Sequence, residues 1–435
     1  MRMVRLDNTA AFSLVSGLWK GSRPPFHKAC VLRSTNFRGD GLLDYSEVME
    51  LEVEARYIAE RQLLAGDIII ERSGGGPKQP VGRVALFDPP DERTYFTSNF
   101  TTALRILDRS RLEPRFVALY LQALYSHGET ETLQRATTGI RNLDWQEYLQ
   151  FEVPELDLDI QQSLVSLIEG VRSAYINEEM LIDVSIELKR ATLRVLLANG
   201  FGCEPQDDTP FGPVPQDWIV DRLDAWADII STRMSYSELE AAKTSSTADA
   251  LTVLGVKVSD MNLPGNETSL TCAAHSISID GSVARQRCAP PDTVVFPKRG
   301  AAIATNKKRL TTTWTAFDPN VIGVRTRDRL DSRFLFHWFQ AFDLRTITEP
   351  GPTPQLNKKN LEPLILAAPA SLEEQAEIVR VFDMIDQNLA LHRKKRVVHH
   401  ELFKALLSKL LTESSGIFDL NRAALNSNSL YEVTV

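Results

Sequence analysis

The sequence predicts an α+β protein in which two globular domains are separated by two long antiparallel helices that form a coiled coil. Residues 187–197 read ELKRATLRVLL, and 214 positions later residues 401–411 read ELFKALLSKLL. Each copy closes a long helical pattern and follows a globular segment of roughly 150 residues, far longer than a solenoid repeat. The chain is therefore predicted to be an internal duplication with pseudo-two-fold symmetry, because two equivalent helices can pair about such an axis.

Breaks in the pattern give the domain boundaries. Val153-Pro154 interrupts the first half, because proline disfavours helix in the residue before it, and Pro369 repeats the break in the second half. Gly200 and Gly202 would cap the first helix, and a linker rich in Pro, Gly and Asp follows. We predict a first domain over residues 1–153, a helix over 154–200, a linker and second domain over 201–370, a second helix over 371–413 and a tail over 414–435.

Each predicted domain contains a short buried strand followed by an amphipathic helix. In the first domain these are residues 67–71 and 114–127, and in the second they are residues 292–296 and 331–342. The matching order supports the duplication.

The two long helices carry apolar residues at alternating three- and four-residue steps, as coiled coils do. About forty residues at 1.5 Å each give a rod on the order of 60 Å, close to two turns of duplex DNA. Helices packed into an ordinary helical domain would show a similar stripe. The predicted seam consists of Leu164, Leu167, Val171, Ala174, Leu181, Leu188, Thr192 and Val195 in the first helix, and of Ile378, Phe382, Ile385, Leu389, Phe403, Leu406 and Leu410 in the second. The polar stretch 392–400 is either a solvated face or a docking surface for other subunits.

The composition is that of a globular protein without membrane, disulfide or metal signals. Of the 435 residues, 43% are apolar and 24% are charged. No 18-residue apolar run or amino-terminal hydrophobic segment is present, so a cytoplasmic location without a membrane partner is expected. Cys30, Cys203, Cys272 and Cys288 are dispersed, which argues against disulfides and zinc. The net charge of −8 argues against a uniformly basic nucleic-acid binder but permits a local basic patch.

A polar, glycine-rich loop follows the first buried strand and reads ERSGGGPKQPVGR over residues 71–83. Glycines let backbone amides approach a phosphate, and Arg, Lys and Gln donate hydrogen bonds to phosphates and base edges. The loop is not a P-loop, because no G-K-[ST] ends it. A plain glycine-rich hairpin would look the same. The candidate DNA contacts here are Ser73, Gly74, Lys78, Gln79 and Arg83.

A basic loop occupies the corresponding place in the second domain and reads PKRGAAIATNKKR over residues 297–309. Its five basic residues and lack of acids favour contact with a phosphate backbone, although a solvated basic hairpin is the alternative. The candidate contacts are Lys298, Arg299, Thr305, Asn306, Lys307 and Arg309. Weaker candidates in predicted loops are Trp19, Lys20, Asn36, Arg38 and Arg141.

No catalytic constellation is found in the sequence. The segment Asp88-Pro89-Pro90-Asp91 is similar to the Asn/Asp-Pro-Pro-aromatic motif of amino-methyltransferases, but a carboxylate in the fourth position cannot stack on a flipped base. No F-x-G-x-G cofactor turn lies upstream, so a turn is the preferred interpretation.

Four motifs, in order, make the chain similar to the specificity subunits of type I restriction-modification systems. They are GDIIIERSGG over residues 66–75, PQDW over 215–218, FPKRG over 296–300 with TNKKR over 305–309, and SLEEQ over 371–375. The resemblance covers nearly all of residues 1–413. It departs at residues 159–162, which read DIQQ where Glu-Gln is usual; Gln162 is taken as the matching glutamine. The amino terminus also lacks the usual Pro-x-x-Trp opening.

The resemblance implies a non-catalytic subunit with two target-recognition domains. Each domain would read one half of a bipartite double-stranded DNA site, and the helices would set the distance between the halves. Two N6-adenine methyltransferase subunits would flank the chain, and restriction subunits with translocase and nuclease activity would join them. The chain itself would bind no metal or cofactor, since S-adenosylmethionine, ATP and Mg would belong to those partners. Because the two loops differ, the site is expected to be asymmetric.

A protein-protein scaffold without intrinsic sequence-specific DNA binding is the main alternative. In that case the helices would dock partner helices and the globular domains would bind protein. Neutralising the basic residues of the second loop, which are Lys298, Arg299, Lys307, Lys308 and Arg309, would then leave DNA affinity unchanged.

Overall fold

The computed structural model describes residues 2–18, 22–75, 79–137, 140–201, 205–209, 212–231, 234–244, 249–349 and 354–412. The chain divides into two compact units. Unit 1 comprises Met1–Met180 and Arg393–Val435, and unit 2 comprises Leu181–His392. Each unit contains one globular domain and a part of each long helix. The predicted tail, residues 414–435, lies outside the described residues.

The globular domain of unit 1 is built from short strands and helices. The strands are β1 Arg2–Arg5, β2 Phe12–Ser16, β3 Phe26–Leu32, β4 Met49–Glu54, β5 Ile68–Glu71, β6 Ser73–Gly74, β7 Val84–Leu86, β8 Tyr95–Thr97, β9 Thr101–Ile106, β10 Gln134–Thr137, β11 Ile140–Leu143 and β12 Glu152–Glu155. The helices are α1 Ile58–Arg61, α2 Pro114–His127 and α3 Trp145–Tyr148, and the long helix α4 Leu158–Asn199 follows.

Strand β5 lies inside the main sheet of unit 1, whose order is β2-β9-β5-β7. Ile68 and Ile70 belong to the buried cluster that contains α2, whereas Ile69 belongs to a second cluster with Cys30. A strand with both faces covered is expected to be continuously apolar, as this one is. The predicted strand 67–71 and helix 114–127 are therefore confirmed.

The globular domain of unit 2 follows a two-stranded hairpin, β13 Gln206–Thr209 and β14 Gly212–Pro215. Its strands are β15 Trp218–Arg222, β16 Ala227–Ile230, β17 Ala250–Val256, β18 Ser269–Leu270, β19 His275–Asp280, β20 Val294–Pro297, β21 Arg309–Thr311, β22 Thr315–Phe317, β23 Val321–Thr326 and β24 Ile365–Pro369. Its helices are α5 Leu223–Trp226, α6 Tyr236–Ala241, α7 Gly281–Arg287, α8 Ser332–Ala341 and α9 Lys358–Leu361, before the long helix α10 Leu372–Thr412.

The two domains repeat one topology. The order β2-β9-β5-β7 in unit 1 reappears in unit 2 as β16-β23-β20-β21, with β18 added at the edge. The sheet β4-β3-β8 reappears as β19-β17-β22, and in both the central strand has one antiparallel and one parallel neighbour. The pair β1-β12 reappears as β15-β24. The internal duplication therefore extends through both globular domains.

The long helices lie against each other within each unit. In unit 1 the Tyr175 and His400 rings are 4.9 Å apart, and an Arg396 nitrogen lies 3.8 Å from a Glu179 carboxylate oxygen, so the two helices run antiparallel. In unit 2, Lys189 donates to both carboxylate oxygens of Asp386 at 2.6 and 2.7 Å. These contacts agree with the predicted antiparallel pair.

The predicted seam is largely correct for α10, where Ile385 and Leu406 are only half-buried, but it is wrong for much of α4. Ile378, Phe382, Leu389, Phe403 and Leu410 are buried as predicted. In α4 the predicted Leu164 is buried, but the other buried apolar residues are Val165, Ile168, Ile182 and Leu193, whereas the predicted Leu167, Leu181, Leu188 and Val195 are exposed. The helix has a second apolar stripe, so periodicity alone does not say which stripe faces α10.

A buried glutamine fixes the start of each long helix to its domain. Gln161 accepts from the Glu113 amide at 2.9 Å and donates to the carbonyls of Arg111 and Leu156 at 2.8 and 2.7 Å. In unit 2, the buried Gln375 makes the same set of contacts: it accepts from the Asp331 amide and donates to the carbonyls of Arg329 and Pro369.

The glutamine of α4 that matches Gln375 is therefore Gln161. This corrects the sequence interpretation, which chose Gln162, an exposed residue. Burial of the Gln161 side chain against the carbonyl groups before the helix decides the match, and two adjacent glutamines hide that difference in the sequence.

Among the residues that the structure describes, no helix is long and apolar enough to cross a membrane, and no cluster of three or more His, Cys, Asp and Glu side chains could hold a metal ion. Cys30, Cys272 and Cys288 are free thiols. Cys203 lies outside the described residues.

Candidate nucleic-acid interface

The two predicted loops leave the sheets of their units at equivalent points. Strand β5 pairs antiparallel with β9, and strand β20 pairs antiparallel with β23. Ile68 faces Leu104 in the first pair and Val294 faces Val324 in the second, so Ile68 is equivalent to Val294. Residues 72–74 therefore correspond to residues 298–300. In both loops the third of these residues is a glycine with positive φ, 125° at Gly74 and 67° at Gly300, a conformation that favours glycine. Both loops thus have a glycine with positive φ at this position, although their side chains differ.

In unit 1 the loop joins a small sheet, β10-β11-β6. Ser73 and Gly74 pair with Asn142 and Arg141, and the Ser73 hydroxyl donates to the Asn142 side-chain oxygen at 2.6 Å. Ser73 is half-buried, and Gln79 is exposed beyond the turn. Lys78 lies outside the described residues. Contact of these residues with DNA stays a prediction.

Arg83, a predicted DNA contact, makes internal contacts. Its guanidinium makes a two-bond ion pair with the fully buried Glu71 carboxylate, at 2.8 Å for both bonds. It also donates to the carbonyls of Ser34 and Phe37, at 2.7 and 3.3 Å. A guanidinium bound in this way stabilises the domain, and contact of Arg83 with DNA stays a prediction.

Arg72 is a cation of this loop that the sequence reasoning did not select. Its guanidinium lies 4.7 Å from the centre of the Trp145 ring, and one nitrogen is 3.4 Å from the Thr102 hydroxyl. Packing around the side chain lowers the pKa of Arg72 below its ordinary value, although the residue stays accessible to solvent. Its register with Lys298 is the signal that could have revealed it.

In unit 2, Lys298 and Arg299 begin the basic loop at the end of β20. The backbone amide of Lys298 donates to the Asn320 carbonyl at 2.8 Å, and Arg299 forms an isolated bridge with Gln355. Partial burial, followed by the neighbouring Arg299, lowers the pKa of Lys298. Arg299 is exposed. Both side chains can meet an anion from solvent.

The second half of the basic loop packs inward. Asn306 has a left-handed backbone, with φ 52°, and its side-chain oxygen accepts from the Leu344 amide at 3.0 Å. Lys308 is 1% exposed, and its ammonium donates to Asn306 at 2.8 Å and to the Phe342 carbonyl at 2.6 Å. Burial lowers the pKa of Lys308 to about 7. Asn306 therefore fixes the loop against the end of α8, and its contact with DNA stays a prediction.

Arg309, a predicted DNA contact, is also buried, and its contact with DNA stays a prediction. Its guanidinium donates to the carbonyls of Lys308 and Met261 at 2.8 and 2.9 Å, which gives it a structural role. Lys307 is half-buried and donates to the Asn262 side chain. Thr305 is exposed, and its hydroxyl donates to the Ala302 carbonyl at 2.6 Å. For Lys307 and Thr305, contact with DNA stays a prediction.

Of the weaker candidates, Asn36 is 3% exposed and its amide donates to the carbonyls of Asp44 and Glu47, so it stabilises its loop. Arg38 forms an ion pair with Asp40 at 2.8 Å. Arg141 lies in β11 opposite Gly74. Trp19 and Lys20 lie outside the described residues.

The structure thus separates five cations of the two loops into two groups, and the half-buried Lys307 belongs to neither. Arg83, Lys308 and Arg309 are committed to contacts inside their domains, whereas Lys298 and Arg299 remain at the surface of unit 2, where they can bind an anion. Polar side chains around a glycine turn are suited to binding phosphates and base edges.

The segment Asp88-Pro89-Pro90-Asp91 is a surface turn. The Asp91 carboxylate accepts from Arg93 at 2.9 Å and from the Tyr95 hydroxyl at 3.2 Å. These contacts agree with the turn interpretation of the sequence, because Asp91 serves to hold the start of β8.

No sequence-family model matches the chain. Its fold is nevertheless similar to that of solved structures over 94% of its length. One is the S subunit of a type I restriction-modification system from M. genitalium, with 13% identity, 95% of that chain covered and a TM-score of 0.55. Another comes from a structure of complex assembly and conformational transition in the type I R-M system, with 19% identity, 96% of that chain covered and a TM-score of 0.53.

At these identities the similarity concerns the fold, and it extends over both globular domains and both long helices. The chain has the fold of type I restriction-modification specificity subunits.

Proposed function

We propose that the chain is the DNA sequence-specificity subunit of a type I restriction-modification complex in the cytoplasm. The observation that carries the proposal is the duplicated domain in which equivalent strands, β5 and β20, end in loops with unlike polar side chains. Each domain would read one half of a bipartite double-stranded DNA site. The chain would itself be non-catalytic.

The unlike loops support an asymmetric site. The turn reads Arg-Ser-Gly at residues 72–74 and Lys-Arg-Gly at residues 298–300. The loops then differ further, because unit 1 continues with two more glycines whereas unit 2 continues with a 3-10 helix at Gly300–Thr305. Base readout depends on which donors and acceptors reach the groove, so different side chains on a common backbone would select different half-sites.

The helices α4 and α10 would set the spacer between the half-sites. Their continuity over 42 and 41 residues supports this role, as does the fixed attachment of each to its domain through Gln161 or Gln375. A rigid connection is needed because a change of a few ångströms between two readers would move one of them off its base pairs.

The helices would also dock two methyltransferase subunits. An exposed apolar pair, Val184 and Leu188, occurs on α4, and the equivalent pair on α10 is Val398 and Leu402, 214 positions later. These side chains are 45–64% exposed. Exposed apolar side chains at one-turn spacing are suited to helix packing, and two equivalent pairs in one chain suit two copies of one partner.

S-adenosylmethionine, ATP and Mg would then be bound by the partners. The methyltransferase subunits would supply N6-adenine methylation, and restriction subunits would supply ATP-dependent translocation and cleavage. The contribution of this chain would be the choice of the site.

Single-molecule methylation mapping of the host genome, with and without the gene for this chain, tests the proposal. We expect N6-methyladenine at one asymmetric bipartite motif that disappears when the chain is removed. Exchange of unit 2 loop residues 298–307 for those of another such subunit should change one half of the motif only. Unchanged genomic methylation after removal of the chain would refute the proposal and favour the scaffold alternative.

A further inference from the structure

Arg72 and Lys298 occupy the same backbone position in the two units. The amide of each donates to the residue just before the neighbouring strand: Arg72 to the Phe100 carbonyl at 2.8 Å, and Lys298 to the Asn320 carbonyl at 2.8 Å. The carbonyl of each accepts from the residue just before the N-cap of a short helix: Arg72 from the Leu143 amide at 2.8 Å, and Lys298 from the Leu356 amide at 2.9 Å. Four matching backbone bonds establish the equivalence.

Neither cation has a carboxylate partner within the described ranges of the chain. This differs from the cations around them: Arg83 is paired with Glu71, and Arg105 is paired with the buried Asp67. The described contacts of the Arg72 guanidinium are the Trp145 ring and a long hydrogen bond to Thr102. In a chain with a net charge of −8, two equivalent cations without a carboxylate are available to an external anion.

Both side chains are also partly desolvated, which strengthens binding of an incoming anion. Partial burial is the main cause that lowers the pKa of Arg72 and of Lys298. Stacking at 4.7 Å from the Trp145 ring centre also restricts the Arg72 side chain before any ligand arrives, so less side-chain entropy is lost on binding.

We infer that Arg72 and Lys298 are equivalent clamps that each bind a phosphate of the DNA backbone and so position the loop beside them. Contacts to phosphates fix the register of a protein on DNA, whereas contacts to bases carry the sequence information. A cation shared by two unlike readers fits the first role, and the adjacent residues, Ser73 and Arg299, differ as expected for the second. This inference rests on the proposed function.

The test measures binding of the full chain, purified with its methyltransferase partner, to two duplexes at several salt concentrations. One duplex carries the mapped motif, and in the other both half-sites are scrambled. Arg72→Gln and Lys298→Gln remove the charge, and Arg72→Lys and Lys298→Arg restore it. Arg5→Gln and Arg345→Gln are matched controls, because each removes an exposed arginine that already has a carboxylate partner.

We expect each neutral variant to bind both duplexes about 10-fold more weakly, because a hydrogen-bonded charge is lost. The slope of log K against log salt concentration should fall in magnitude by about 0.9 for each lost phosphate contact. The charge-restoring variants should recover most of the slope, and the controls should keep it.

Two results would overturn the inference. One is a neutral variant that keeps the wild-type salt slope and affinity while its thermal unfolding is also unchanged. The other is a loss confined to the mapped motif with an unchanged slope, which would mark a base contact. Failure of the proposed function is a separate outcome, seen when the wild-type complex does not distinguish the two duplexes; the salt slopes on either duplex still test the clamps.

Discussion

Replacing Gln161 by methionine tests whether this buried side chain holds α4 to its domain. Methionine has a similar volume but cannot replace the three hydrogen bonds of 2.7–2.9 Å that Gln161 makes to backbone groups. At about 1 kcal/mol net for each bond, the free energy of unfolding of unit 1 should fall by about 3 kcal/mol. The neighbouring variant Gln162→Met is a matched control, because that side chain is exposed.

The assay is urea denaturation together with hydrogen exchange at the amide of Glu113, which donates to Gln161. If the Glu113 amide exchanges through unfolding of unit 1, a loss of about 3 kcal/mol in the free energy of unfolding corresponds to roughly 150-fold faster exchange. Gln162→Met should change the free energy of unfolding by less than about 0.5 kcal/mol, as for most surface substitutions. If both variants had the same denaturation midpoint and exchange rate, the glutamine attachment would be disproved.

Two further predictions concern the buried charges. Arg83→Met should lower the free energy of unfolding by about 3–5 kcal/mol, because the buried Glu71 carboxylate would lose its partner. In a double-mutant cycle, adding Glu71→Gln should recover much of that loss. Equal destabilisation by Arg83→Met and by the double variant would contradict this prediction. Because burial lowers the pKa of Lys308 from 10.5 to about 7, the wild-type free energy of unfolding should rise relative to Lys308→Met as pH increases between these values. Parallel pH profiles from denaturation would refute the buried-lysine assignment.

The strand β5 and the helix α2, which lie next to the candidate site of unit 1, were predictable, because each has a clear local pattern. The helix α2 begins at Pro114, ends before Gly128 with φ 90°, and matches the predicted range 114–127. The strand β5 is a run of three isoleucines after a glycine turn, and its burial on both faces explains why its sequence is apolar without alternation. Local composition determines these elements.

The role of a charged residue was less predictable, because it depends on distant partners. Arg83 and Lys298 have the same appearance in the sequence, as cations in glycine-containing loops, but only Arg83 meets a buried carboxylate. That carboxylate, Glu71, lies twelve residues away, and the acceptors in Ser34 and Phe37 come from another part of the fold. The loop sequence shows which basic residues are present, and tertiary packing decides which of them can still bind an external anion.

The two units keep a common backbone while they change the charges buried beneath it. In unit 1 the fully buried Asp67 accepts from Arg105 at 2.8 and 2.7 Å. The register of the sheets places Thr293 and Arg325 at the equivalent positions of unit 2, and there the threonine is buried and the arginine is exposed. The two units thus differ in a buried acid and in the exposure of the arginine at the equivalent place, while the strand pairing is the same. If the two domains read DNA as proposed, a difference in a buried acid would change the surface cations that a domain presents to DNA while its backbone stays the same.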